Sequence, residues 1–385
     1  MNLHEFQAKE LLAQFGVPIP RGRIAASPAE AASVARRLGF AQCVVKAQVN
    51  AGDRAANGGI RFASSVDEAG RMAGELIGSP LVTAQTGPAG KLVRWVYVEE
   101  AVAFKRELYV AVVVDRTAGA LVLVTRDRDA GPDAGMTTRL ELSEAGVRGD
   151  FEKAAAAFRL EPSLTSLLAK RMSQIAQAAV ALDAMLVEIS PLVLTHSGEF
   201  IALDAKMSAD HNALFRHPDL IGLREVSEAE DGDPIALAAD LHQINYMRLD
   251  GDIGLVVNGA GLALATLDLL HAAGGRPANF MDIRTTASTL DIAYAFELIA
   301  ANPRVGAVLV NVHGGGMQRC DTIADGIGIA VRRRACPAPI VVRLAGNNAE
   351  FAASRFRSYG VPVIETADMW EAANTAVQLA TRKAA

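Results

Sequence analysis

The sequence predicts an α/β protein in two parts: a β-rich mixed front region and a doubly wound parallel sheet behind it. Three observations carry this. From Asp252 the chain repeats strand, Gly-rich turn and helix five times, with strands IGLVV (253–257), NFMDI (279–283), GAVLVN (306–311), PIVVRL (339–344) and PVIET (362–366). That alternation is the signature of a flavodoxin-like sheet. Ahead of it, strands are expected at 43–49, 81–85, 93–99, 108–114 and 121–125, with few helices between them. Finally, Leu186–Arg216 reads LVEISPLVLTHSGEFIALDAKMSADHNALFR: two apolar β-rich runs around His196-Ser197-Gly198, a hairpin pattern.

The front elements follow in order. Leu3, Phe6, Leu11, Leu12 and Phe15 predict a helix over 2–15 that Gly16 and Pro18 end. A short strand is expected near Arg23–Ala25. Ser27 and Glu30 form a capping box with Pro28 at the first helical position and Gly39 as the stop. Ser65 and Glu68 cap a helix running to about Ile77. Residues 126–150, charged and Gly-rich, predict a loop, and helices are expected near 152–158 and 163–183. Residues 207–233, with the acidic run Glu228–Asp233, suggest an extended crossing, and Asp233-Pro234 starts a helix that should end near Met247.

Composition bounds the function. With 385 residues, 51% of them hydrophobic, the chain can form two or three domains with a large core. A net charge of -5 and 5% aromatics argue against nucleic acid as the main partner. Cys43, Cys320 and Cys336 lack metal-type spacing, and their odd number suits a reducing compartment. No apolar run reaches the length of a membrane span. MNLHEFQAKELL carries charges unlike a secretory signal, so a cytoplasmic location is expected.

Several charged residues sit where charge is expensive. Lys46 lies mid-strand in CVVKAQV and needs an anion or a carboxylate. The loop NAGDRAANGGI (50–60) joins Arg54 to Gly52, Gly58 and Gly59 and can fold backbone N–H groups over phosphates. Alone it is a weak signal against a plain surface hairpin. Glu188 interrupts the first hairpin strand and Asp204 ends the second, so the two carboxylates can converge. An acid in an apolar strand is offset either by Mg²⁺ with phosphate ligands or by a basic side chain, and both readings stand here. Glu99 and Glu107 lie at strand ends, where solvated carboxylates are the simpler account. In the rear region, NGAGLA (258–263), DIRTTAST (282–289), NVHGGGMQRCD (311–321) and RLAGNNAE (343–350) gather at the strands' C-terminal edge. Gly-rich loops entering helix N-termini suit an anion. No G-x-G-x-x-G follows the first strand, so a dinucleotide is not favoured.

MNLHEFQAKELL, VVKAQVNAGDR, RELYVAVVVDR, VEISPLV, LDAKMSADHNALFR, VNGAGLA, GGRPANF and VVRLAGNNAE together resemble the β subunits of succinyl-CoA synthetase and malate–CoA ligase, nearly from end to end. The resemblance implies an ATP-grasp domain at 1–240 and a flavodoxin-like CoA-ligase domain at 241–385. It implies Mg²⁺, ATP as cosubstrate, CoA bound mainly by a partner, and an α subunit carrying the histidine that is phosphorylated. On this likeness Lys46, Asp53 and Arg54 meet the nucleotide phosphates, with Arg54 in the covering loop. Glu99 and Glu107 serve the nucleotide end, Ser190 and Asp204 the metal, and Glu188 orients the phosphohistidine. The acid would lie against Asn258, Arg284, Thr285, Thr286, His313, Gly314 and Gly315.

The departures cluster in the loops. Asp53 and Ala56 stand where the family has glycine and lysine, and Ser190 where it has asparagine. The segment after 121–125 is shorter and lacks E-G-G-x-x-I-E. Arg284, Thr285 and Thr286 replace three glycines, and Asn311–Gly316 is one residue longer. Two readings compete. One is an active ligase for a different acid, with Arg284 and His313 pairing an extra anionic or polar group of a dicarboxylate or sulfonated acid. The other is a degenerate subunit with a structural or regulatory role. The retained Lys46, Arg54, Glu99, Glu107, Glu188 and Asp204 favour the first, since such residues are costly in apolar surroundings. A third possibility is a binding module that senses nucleotide or acid without a partner.

Overall fold

Backbone pairing closes the first part of the chain on itself at once. In a computed structural model describing residues 1–39, 42–88, 90–127, 135–143, 146–223, 234–315 and 318–384, β1 (Asn2–Leu3) pairs antiparallel with Met207 and Ser208. The predicted helix therefore begins later, as α1 (Glu5–Gln14), where the Gln7 side chain accepts from the His4 amide at 2.9 Å. The chain divides into two units, Met1–Asp231 and Gly232–Ala385.

The first unit holds two antiparallel sheets. β2 (Gly22–Ala25), β3 (Cys43–Ala47), β4 (Ile60–Ala63) and β7 (Val96–Glu100) form one, in the order β2-β7-β3-β4. Helices α2 (Pro28–Leu38) and α3 (Val66–Leu76) cover it through Ala31, Val34, Ala69 and Ala73. Both helices start at the serines the sequence marks, with Ser27 and Ser65 accepting from the Glu30 and Glu68 amides. A two-stranded ribbon, β5 (Pro80–Leu81) and β6 (Lys91–Leu92), lies between α3 and β7 in the chain.

The larger sheet adds β8 (Phe104–Asp115), β9 (Ala120–Asp127), β10 (Gly135–Ser143), β11 (Gly146–Arg148), β12 (Ala184–Thr195), β13 (Phe200–Ala202) and β14 (Ala205–Ala209). Its order is β1-β14-β12-β8-β9-β10-β11, with β13 also on β12. Val187 and Ile189 from β12 pack against Met172 and Ile175 of α5 (Pro162–Ala181), which follows the short α4 (Phe151–Ala156). The expected loop over 126–150 is corrected: its described residues are largely β10 and β11. Exposure alternates from Gly135 to Leu140, with Thr137 and Arg139 exposed and Leu140 buried, and the charged residues around them hid that period. The expected extended segment from 207 is likewise β14 and a 3₁₀ turn, His211–Arg216; the acidic run 228–233 lies outside the described residues.

In the second unit β16 (Ile253–Val257), β18 (Ala307–Gly314), β19 (Ile340–Gly346) and β20 (Val363–Glu365) are parallel and adjacent in that order. Each strand alternates between two cores. Val256, Val308, Val310 and Val342 face helices 289–300, 320–333 and 349–359, while Leu255, Val257, Leu309 and Val341 face helices 260–272 and 369–384. The second predicted strand, β17 (Asn279–Ile283), meets β16 at two isolated parallel bridges, Ile253–Pro277 and Asn258–Ile283. Between them the Asn279 side chain accepts from the Leu255 amide at 3.0 Å and donates to the Leu255 carbonyl at 2.9 Å. The helix expected to reach Met247 ends at Leu241. Gln243 then adopts φ 58° and the chain enters β15 (Ile244–Arg248), antiparallel to β17. Ile244 is buried while Asn245 and Met247 are exposed, and five residues of that period are easily taken for helix.

Candidate functional site

A cleft of about 1450 Å³ in the first unit collects charged side chains from six places in the chain. β3 supplies Lys46, the following loop Asp53 and Arg54, β7 Glu99, and β8 Glu107. β12 supplies Glu188 and Ser190, and the β13–β14 connection Asp204. All eight front residues singled out from sequence line this one cleft. The strand register explains part of the convergence. Glu188 faces Lys206 across the β12–β14 ladder, and the Ser190 amide donates to the Asp204 carbonyl at 3.2 Å. A register shift between Ile189 and Leu192 releases Ser190 and Pro191 from the β8 ladder.

Two residues that sequence reasoning did not select lie at the centre. Glu5 and Lys9 are one turn apart on α1 and both buried. Lys9 Nζ is 2.7 Å from Glu5 and 2.6 Å from Glu99; Lys46 Nζ is 2.9 Å from Glu5 and 2.6 Å from Glu99. Lys46 also donates to the Leu203 carbonyl at 2.5 Å. Arg54 donates to Glu5 at 2.7 Å, to Asp204 at 2.8 Å and to the Ala47 carbonyl at 2.9 Å. Lys9, Lys46 and Arg54 thus match Glu5, Glu99 and Asp204, three cations against three anions. The available signal was the i,i+4 acid–base pair of Glu5 and Lys9.

The cluster sets its own protonation. Burial pushes the Glu5 carboxyl up, but Lys46, Lys9 and Arg54 together hold it well below the usual carboxylate range. Burial pulls Lys46 down, and Glu5, Glu99 and Asp204 more than offset it, so the ammonium is held charged. Arg54 is raised in the same way by Asp204 and Glu5. Glu99, 1% exposed, is bound by two lysines and belongs to the floor of the cleft.

The donor set suits a magnesium nucleotide. Among the described residues no cluster of three or more His, Cys, Asp or Glu side chains forms a ready-made metal cage. Mg²⁺ at a nucleotide needs only one or two protein oxygens, with phosphates and water completing the shell. Asp204 and Ser190, side by side on the cleft wall, fit that need. Asp53 is exposed on the loop and holds φ 56°, a left-handed geometry that Asp tolerates. The Asn57 side chain and amide both donate to its carbonyl, at 2.7 and 3.2 Å.

In the second unit a separate cavity of about 1210 Å³ opens at the C-terminal edge of the parallel sheet. Asn258, Arg284, Thr285, Thr286, His313 and Gly315 line it; Gly314 lies just beneath, at the end of β18. A Cβ on Gly314 would sit 2.4 Å from the Asn347 carbonyl, so only glycine lets the loops after β18 and β19 meet. Asn258 donates to the His313 carbonyl at 2.8 Å and accepts from its amide at 2.9 Å. Arg284 lines the cavity, yet its guanidinium is bound to Asp240 at 2.6 Å and to Asn245 at 2.8 Å. Asp240, Asn245, Gln318 and Arg343 were not selected from sequence.

Comparison with known proteins fixes the class. The ATP-grasp domain model matches residues 2–194, and the CoA-ligase model matches residues 256–377. The chain is therefore an ATP-grasp domain followed by a CoA-ligase domain, as the sequence predicts. The solved ATP citrate lyase of Methanothrix soehngenii shares the fold at 16% identity, with a TM-score of 0.74 over 98% of this chain and 99% of that one. Succinate–CoA ligase (ADP-forming) subunit beta of Anaeromyxobacter dehalogenans is 42% identical over 389 residues, 99% of each chain. The same subunit of Solibacter usitatus is 40% identical over 388 residues, 99% of this chain and 100% of that one. The chain belongs to this family of succinate–CoA ligase beta subunits.

Proposed function

We propose that the chain is the nucleotide-binding subunit of an ADP-forming acid–CoA ligase, working with an α-type subunit. The observation that carries this reading is the convergence of Lys46, Arg54, Glu107, Glu188, Ser190 and Asp204 on one cleft, with Lys46, Arg54 and Asp204 held in a charge-balanced cluster. The relatives bear a ligase's name, which favours an active subunit over a degenerate one.

In this reading the front domain, 1–240 in sequence, grips ATP and the rear domain, 241–385, faces the acid. The division after Asp231 groups helix Pro234–Leu241 with the rear unit. Arg54 and Lys46 neutralise phosphate charge, and the backbone amides of the 50–59 loop cover it. Asp204 and Ser190 would hold Mg²⁺, which would supply positive charge against the phosphates. Glu107 serves the nucleotide end, and Glu188 accepts from the partner's histidine ring and orients it. Phosphoryl transfer asks for little more than such positioning and charge neutralisation. The phosphoryl group then passes from the histidine to a carboxylate, and CoA, held mainly by the partner, displaces it. No helix among the described residues is long and apolar enough to cross a membrane. Cys43, Cys320 and Cys336 are thiols and not disulfides, which suits a cytoplasmic enzyme.

The test is co-expression with the α-type subunit and assay of a panel of acids with ATP and CoA. Acyl-CoA and ADP should form together, only with both chains present. Nucleotide or acid binding by this chain with no turnover in the complex would instead favour the sensing module.

A further inference from the structure

The loop Asp282–Thr286 on the cavity of the second unit is held by a segment that contributes nothing to that cavity's lining. Arg284 Nη2 donates to Asp240 at 2.6 Å and to Asn245 at 2.8 Å, and Arg284 Nε donates to Asn245 at 3.1 Å. The Asn245 side chain also donates to Asp282 at 3.0 Å, and the other Asp282 oxygen accepts from the Gly259 amide at 2.7 Å. Gln243 adds two bonds, its carbonyl accepting from the Arg284 amide at 3.1 Å and its side chain from the Thr286 hydroxyl at 3.2 Å. Beyond the loop, His242 Nδ1 lies 2.9 Å from Asp291, and its ring stacks on Tyr294 with centroids 3.9 Å apart. The segment Asp240–Asn245 therefore grips the loop at both ends.

We infer that Asp240–Asn245 is a brace for this loop and that Arg284 is a positioning residue within it rather than a ligand for an anion of the substrate. The inference rests on reading this cavity as the acid site. A guanidinium with a carboxylate at 2.6 Å presents a dipole, and an approaching anion meets the Asp240 charge as well. The guanidinium is also anchored at two of its three nitrogens, which fixes the loop backbone on either side of it. The acid is then met at this loop by uncharged donors such as Thr285, and the cavity does not ask for a second anionic group opposite Arg284.

Three variants of the complex with its α-type subunit test this: R284A, D240N and the charge exchange D240R/R284D. In the brace, R284A and D240N each lower kcat by about tenfold while KM for succinate stays within about twofold, because misplacement and not lost binding is the defect. Their combination is no worse than either alone, and the exchange recovers part of the rate. If Arg284 binds a substrate anion, R284A raises KM for succinate but not for propionate, and D240N lowers it; that pattern overturns the inference. Hydrogen exchange on the full chain alone needs no turnover. D240N should speed exchange of the Arg284 and Ala287 amides several-fold, and unchanged exchange would refute the brace. A wild-type complex that forms no acyl-CoA would sink the ligase reading, while the exchange data would still decide the brace.

Discussion

One guanidinium nitrogen of Arg54 lies 2.8 Å from both carboxylate oxygens of Asp204, across 150 residues of chain. The pair draws the 50–59 loop onto the wall that carries the proposed magnesium ligand. Arg54 thus places a positive charge directly against the Asp204 carboxylate. If Asp204 serves the metal as proposed, it would have to leave the arginine, which would free the Arg54 guanidinium for phosphate.

Arg54→Leu should therefore act twice. Removing a buried cation leaves Glu5 and Asp204 short of charge, and the chain should lose about 3 kcal/mol in denaturant titration. Mg-ADP affinity, measured by calorimetry, should fall at least about tenfold. Wild-type affinity in a folded variant would remove Arg54 from the phosphate site.

Glu5 is shared by Lys9, Lys46 and Arg54. Glu5→Gln should destabilise the chain by about 3–5 kcal/mol, because three buried cations then face two carboxylates. A loss below about 1 kcal/mol would show that water or relaxation carries the charge instead.

The same cluster fixes the pH response. Glu5 has a depressed pKa, so its contribution is present above the ordinary glutamate value of about 4.3 and is lost as pH falls through its lower folded value. Lys46 and Arg54 are raised, so theirs is present below their ordinary values and is lost only as pH rises beyond them. From this cluster stability should be flat from about pH 5 to 9 and drop below about pH 4. Melting temperatures across that range check it, and Glu5→Gln should flatten the acid limb by about one proton.

Metal binding separates the two proposed ligands. Asp204→Asn should raise the Mg²⁺ needed for half-maximal activity, and the Mn²⁺ dissociation constant read by spin resonance in the presence of ADP, by about tenfold or more. Ser190→Asn, whose longer amide oxygen reaches further, should lower both severalfold. If neither variant shifts Mn²⁺ binding, the metal lies elsewhere.

The front cleft was legible because charge in an apolar strand is costly and so stands out, as Lys46, Glu188 and Asp204 show. Glu5 and Lys9 escaped because charges on a short N-terminal helix resemble a solvated face, and only the tertiary fold buries them. Chain order and the doubly wound alternation were readable from period alone. β10 was not, because the charged, Gly-rich stretch that contains it reads as a loop and masks its alternation. Nor was β15, whose five residues follow a helix without a glycine or proline to mark the change. Missing β15 also hid Asn245, and Asp240 on the helix before it carried no signal of its own, so Arg284 was expected to face the substrate unaccompanied.

Phosphoryl transfer from ATP to the companion subunit tests the central claim most directly. The purified pair is incubated with Mg²⁺ and γ-labelled ATP, with Lys46→Met as the control. The account predicts label on a histidine of the α-type chain, acid-labile and alkali-stable, discharged by ADP and reduced at least about a hundredfold by Lys46→Met. Label that never reaches the companion, in a pair that binds Mg-ATP no better than the Lys46→Met control, would contradict it.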